Sequence, residues 1–163
     1  MIYNRFGANA RFSFVVGKFW EKQSLAQMSE AQWESLCDGC GWCCLVKLED
    51  EDSGEIVYTR AACELLDVTS CRCSDYANRF QKVHGCVKVG LDNLAELLDK
   101  QNWLPETCAY RLLYEGKPLP SWHPLISGKA SSVIDKGVSV SLFAVSETVV
   151  HPAQFIEMII EDE

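Results

Sequence analysis

Three features of this chain predict a small single-domain α+β fold. Two short runs alternate apolar and polar residues around an acidic turn, several capped segments have helical spacing, and nine cysteines crowd the middle of the sequence. The prediction is short helices and a small antiparallel sheet, or hairpin, organised around a cysteine-ligated metal centre. At 163 residues the chain suits one domain. Residues 1–18 read as an N-terminal extension, and 19–163 as the cysteine-cluster domain.

The elements follow in order. In SLAQMSEAQWESL, Ser29 and Gln32 have capping-box spacing, and Leu25, Met28, Trp33 and Leu36 form an apolar stripe, so a helix should run into the cysteines. LVKL (45–48) and EIVY (55–58) flank EDEDSG and predict a hairpin. Ala61–Asp67 suits a helical turn. Ser74 can cap a helix over DYANRFQKV, and Asp92 another over NLAELLDK. Pro105 opens and Gly116 closes PETCAYRLLYEG, the usual asymmetry of helix ends. KPLPSWHPLISGK reads as loop, GVSVSLFAV as a strand and PAQFIEMIIEDE as an amphipathic helix.

Composition excludes several classes. The formal net charge of −8 opposes phosphate backbones and anionic membranes, so neither nucleic acid nor membrane is an expected partner; a protein partner stays open. No apolar run approaches the ~18–20 residues of a membrane span, and FSFVV falls short of a signal-peptide core. A cytoplasmic chain is expected. GxGxxG, Walker, GxSxG and HExxH motifs are absent from the sequence. The acidic run 49–52 lacks the register of a calcium loop and reads as a solvated turn.

The cysteines are Cys37, Cys40, Cys43, Cys44, Cys63, Cys71, Cys73, Cys86 and Cys108. Eight fall within the 50 residues from Cys37 to Cys86, denser than packing requires. Their odd number and the reducing compartment argue against disulfides. Metal ligation fits better. In CDGCGWCC, Gly39 and Gly41 allow the tight turn by which Cys-x-x-Cys grips an ion. Continued as helix, the stretch would instead place Cys37, Cys40 and Cys44 on one face, with Cys43 beside Cys40. Four thiolates saturate one zinc ion. Nine thiols therefore suit two sites, a bridged site or an iron–sulfur cluster, and the adjacent pair Cys43–Cys44 should reach more than one metal atom. The spacings match neither ferredoxin pattern. His123 is a further candidate ligand or base, with His84 and His151 behind it. Trp20, Trp33, Trp103 and Trp122 read as core and lid aromatics.

CxxCxxCC followed by TRAACELLD, CRCSDYANR, WLPETCAYRLLYEG and SWHPLISG resembles the YkgJ-type cysteine-cluster family, described as zinc- or iron-chelating, in its YcgN-like bacterial branch. The likeness covers roughly residues 19–150. It implies a metal centre of zinc or iron, iron–sulfur included, without implying a reaction. It gives Cys63, Cys73 and Cys86 the positions of the wider pattern and makes Cys71 and Cys108 features of the branch. Phe80 stands where that pattern has proline. Tyr76 and Arg79 share a helix face in the motif and could hydrogen-bond the metal's sulfurs. An iron–sulfur redox or radical enzyme, and a carrier handing its ion to a partner, are the alternatives.

Overall fold

The computed structural model describes residues 17–99 and 103–161. Nearly all of the expected N-terminal extension lies outside them.

Short-range signals build the first elements. After helix α1 (Phe19–Lys22), the predicted capping box forms: the Gln32 N–H donates to Ser29 Oγ at 3.3 Å and the Ser29 N–H to Gln32 Oε1 at 2.9 Å, opening α2 (Glu30–Ser35). A second box, Ser24 with Gln27, opens a lone 3-10 turn over Leu25–Gln27. The single predicted helix is therefore two pieces. Ser29 must be extended to cap the second, and an extended residue ends the first.

The hairpin forms as the alternation predicts. Strand β1 (Leu45–Glu49) pairs antiparallel with β2 (Ile56–Ala62), and Asp50 Oδ1 holds the turn by accepting the N–H groups of Asp52 and Ser53. β2 runs on through Ala61–Ala62, where a helical turn was expected. Just beyond, β3 (Leu66–Asp67) pairs antiparallel with β4 (Arg72–Cys73). The main sheet is mixed rather than purely antiparallel, because β5 (Val145–Ser146) joins the free edge of β2 in parallel. Only the end of GVSVSLFAV is strand. Its middle is a 3-10 turn over Val140–Leu142, because the Ser139 hydroxyl accepts the Ser141 N–H, an alternative to ladder bonding.

The later helices are short. α3 (Arg79–Lys82) and α4 (Leu94–Asp99) start later than predicted. α5 (Ala109–Tyr114) begins four residues after Pro105, which instead opens a turn closed by the Cys108 N–H on Pro105 O. The presumed loop 117–129 contains α6 (Pro124–Ser127), and α7 (Ser132–Asp135) follows it. The C-terminal segment is a 3-10 helix over Pro152–Met158, not an α-helix; beyond it Ile160 donates its N–H to Tyr58 O on β2.

Two apolar cores result. Phe19, Leu36, Leu94, Leu104 and Tyr110 form one among the helices, with Trp33 and Trp103 against it. Leu45, Ala62, Leu66, Cys71 and Val140 form the other on the sheet, with Trp42 against it. Leu36 and Leu45 anchor opposite cores, so CDGCGWCC spans the seam between them. Among the described residues no helix is long and apolar enough to cross a membrane.

Candidate metal centre

The cysteine stretch is a pair of turns rather than a helix. Gly39 (φ +76°) and Gly41 (φ +87°) lie in the left-handed region, which interrupts α-helical bonding and favours glycine. A 3-10 turn over Trp42–Cys44 then delivers the chain to β1, with the Cys44 N–H on Gly41 O. Trp42 fixes this turn by donating its ring N–H to Val138 O at 2.9 Å and packing edge-on against Tyr58 and Phe143.

These turns face a cavity of about 590 Å³ along the seam. Cys37, Cys40, Cys43, Cys44, Cys63, Cys73, Cys86 and Cys108 all line it. They come from the 37–44 turns, the β2–β3 connection, β4, the segment after α3, and the N-cap of α5. The Cys63 N–H donates to Cys44 O at 2.9 Å and so ties two of the contributing segments together. The ninth, Cys71, is turned away. It is buried in the sheet core at φ +50°, with Sγ 3.2 Å from Ser139 Oγ.

The adjacent pair is closer than the expectation of separate metal atoms assumed. Cys43 and Cys44 both face the cavity, with sulfurs 3.9 Å apart. Around a tetrahedral ion with Zn–S near 2.3 Å, neighbouring sulfurs stand roughly 3.8 Å apart. The 3-10 turn therefore permits the pair to share one ion as well as to reach two.

The electrostatics follow from enclosure. Cys37 and Cys43 present accessible surface to the cavity yet are surrounded by protein. Burial pushes the Cys37 and Cys108 thiols up to about 12, and Cys40 rises as well. Cys63 and Cys86 are raised, first by burial; the positive charge of Arg79 partly offsets the rise at Cys86. Cys43 is the exception. Its hydrogen bond with Cys44 and then the positive charge of Lys47 lower its pKa, whereas the same bond raises that of Cys44. Lys47 donates to the carbonyls of Cys43 and Leu45 and lies over the Trp103 ring at 4.4 Å. Its enclosure lowers its own pKa to about 8. Neither Lys47's position nor its role was read from the sequence, although it stands four residues after Cys43 on an inward strand position.

Cys37, Cys40, Cys43 and Cys108 all sense Asp38. Cys63 senses Cys86 and Cys73, Cys86 senses Cys73 and Cys43, and Cys44 senses Cys43 before Cys63, so the cavity thiols form one connected group. Asp38 is 6 % exposed; its Oδ1 accepts the Cys40 N–H at 3.0 Å, while Oδ2 is buried without a hydrogen-bond partner among the described residues. Soft thiolates in this number suit zinc or iron. Among the described residues, no group of three or more His, Cys, Asp or Glu side chains is placed so that it could hold a metal ion without side-chain movement. Each thiol has one χ1 torsion with three staggered wells through which to adjust.

The remaining candidates are structural or peripheral. His123 is fully buried, with Nε2 3.0 Å from Leu36 O and Nδ1 accepting the Leu125 N–H. Both nitrogens are occupied, which makes it the cap of α6 rather than a ligand. His151 caps the C-terminal 3-10 helix, and His84 is exposed. Tyr76 and Arg79 line the cavity; Tyr76 donates to Glu34 Oε2 at 2.7 Å, and the Arg79 guanidinium stacks on the Tyr76 ring. Trp103 lines the cavity, while Trp20 and Trp33 pack on the helical core.

Comparison with known proteins gives this arrangement a context. Residues 36–109, which contain all nine cysteines, match a family model described as "CxxCxxCC: Putative zinc- or iron-chelating domain". A UPF0260 protein of Parvibaculum lavamentivorans is 57% identical over 122 residues, 75% of this chain and 77% of its own length. UPF0260 proteins of Mesorhizobium japonicum (49% identity; 89% of this chain, 97% of the relative) and Klebsiella pneumoniae (50%; 81% and 86%) are similar along most of their length. No solved structure matches.

Proposed function

Since the chain belongs to the UPF0260 family of CxxCxxCC proteins, we propose that it binds zinc or iron in the seam cavity, through as many as eight cysteines and with more than one metal atom. One observation carries this reading: cysteines from five separate segments line a single cavity. A protein needing thiols only as small hydrophobes would scatter them through its cores, as it does Cys71. Eight thiols exceed the four that saturate one zinc ion, which is why the reading includes more than one metal atom.

In this reading the metal is at least structural. It would close a seam where two modest cores meet, and its binding energy would appear as folding energy. Bound ions would replace protons on Cys37, Cys40 and Cys108, Lys47 would offset part of the thiolate charge, and Arg79 would donate to the sulfur of Cys86. Metal analysis of anaerobically purified full-length protein, together with melting in chelator, tests the proposal. Near-stoichiometric or higher zinc or iron and a large fall in Tm on chelation are expected. A folded, metal-free protein whose Tm ignores chelator would refute it.

A further inference from the structure

The geometry points to Asp38 as a metal ligand: its second carboxylate oxygen supplies an oxygen donor to an ion held by thiolates of the seam cavity, making that centre a mixed thiolate–carboxylate site. This rests on the metal-binding reading above and adds a donor that the cysteine pattern does not contain.

Asp38 is divided in function. Oδ1 accepts the Cys40 N–H at 3.0 Å and so shapes the Cys-x-x-Cys turn. That task needs one oxygen. The other, Oδ2, is buried with no hydrogen-bond partner among the described residues, and Asp38 is one of the residues that line the thiol cavity. An unpartnered buried carboxylate oxygen is destabilising unless a cation or donor meets it. Three sequence neighbours, Gly39, Cys37 and Cys40, place it inside the ligand turn rather than on the protein's surface. Carboxylate oxygen at about 2.0–2.2 Å is an ordinary zinc ligand beside sulfur. The class of cation it favours is a borderline divalent ion, such as Zn²⁺ or Fe²⁺, rather than a purely thiophilic monovalent one.

Asp38→Asn separates the two oxygens, because the amide oxygen can still accept from Cys40. Full-length protein loaded with ¹¹³Cd²⁺ gives one NMR resonance per site, and an oxygen ligand moves a resonance upfield of all-thiolate positions. Wild-type protein should show one such upfield resonance. In Asp38→Asn that resonance should move or vanish, with cadmium affinity at that site weakened at least about tenfold and the other resonance unmoved. Asp38→Cys should keep the cadmium and carry the signal downfield to the all-thiolate range, which also answers any loss of folding in the first variant. All-thiolate resonances in the wild type that Asp38→Asn leaves unchanged would overturn the assignment. Wild-type protein that binds no cadmium would instead refute the metal reading itself.

Discussion

Gly41→Ala tests the geometry that aims the cysteines. Gly41 has φ +87°, and a Cβ built there would stand 2.5 Å from Val140 Cγ2 and 3.3 Å from Cys71 Sγ. Carbon atoms in contact prefer about 3.5–4.0 Å, so the new methyl intrudes by roughly 1 Å or more on a fully buried valine. Neither partner has room to yield, since both belong to the sheet core. Left-handed backbone costs an alanine about 1–2 kcal/mol, and overpacking adds about 1–3. The variant should lose about 2–5 kcal/mol. Urea denaturation of reduced, metal-free protein measures this as a fall in midpoint at unchanged slope. Val140→Ala removes the atom that clashes, at its own cost of about 2 kcal/mol for the lost methyls. The double variant should therefore be less destabilised than the sum of the singles, by roughly the overpacking share. A loss below about 1 kcal/mol for Gly41→Ala, or strict additivity with Val140→Ala, would refute the claim that the turn is wedged against the sheet core.

Other outcomes follow from the same structure. In metal-free protein, thiols raised by burial to about 12 at Cys37 and Cys108 stay protonated while the unfolded chain ionises near 9. The unfolded state then binds fewer protons, so stability falls as pH climbs from about 9 to 12; Lys47 opposes this only between about 8 and its unfolded value of 10.5. Chelated and metal-loaded samples should diverge over that window, and parallel melting curves against pH would contradict the assignment. Burial lowers the His123 pKa, so stability should also fall as pH drops below the unfolded histidine value of 6.5. His123→Ala should cost about 2–4 kcal/mol and flatten that acid limb, without changing the bound-metal count. Cys71→Ser should likewise leave the metal count unchanged, whereas Cys108→Ser should lower it; the reverse result by metal analysis would move Cys71 into the centre.

What the sequence by itself determined is local. The Ser29–Gln32 box acts across three residues, and the hairpin between β1 and β2 follows from alternation on either side of a turn that Asp50 caps. The two glycines of CDGCGWCC already pointed to tight turns, and the density of thiols already pointed to metal. Tertiary structure decided which cysteines meet. Cys108 reaches the cavity because Leu36 and Tyr110 pack in one core, and Cys63 because the hairpin returns it to Cys44. Cys71 is withdrawn by Ser139, 68 residues away, and His123 is claimed by Leu36 O, 87 residues away. The parallel pairing of β5 and the free oxygen of Asp38 are equally invisible in a linear pattern. Capping and hairpin turns are satisfied by neighbours within a few residues, so their signals are written side by side. Convergence at a seam depends on two cores burying apolar surface from distant segments, and no single window of sequence contains both.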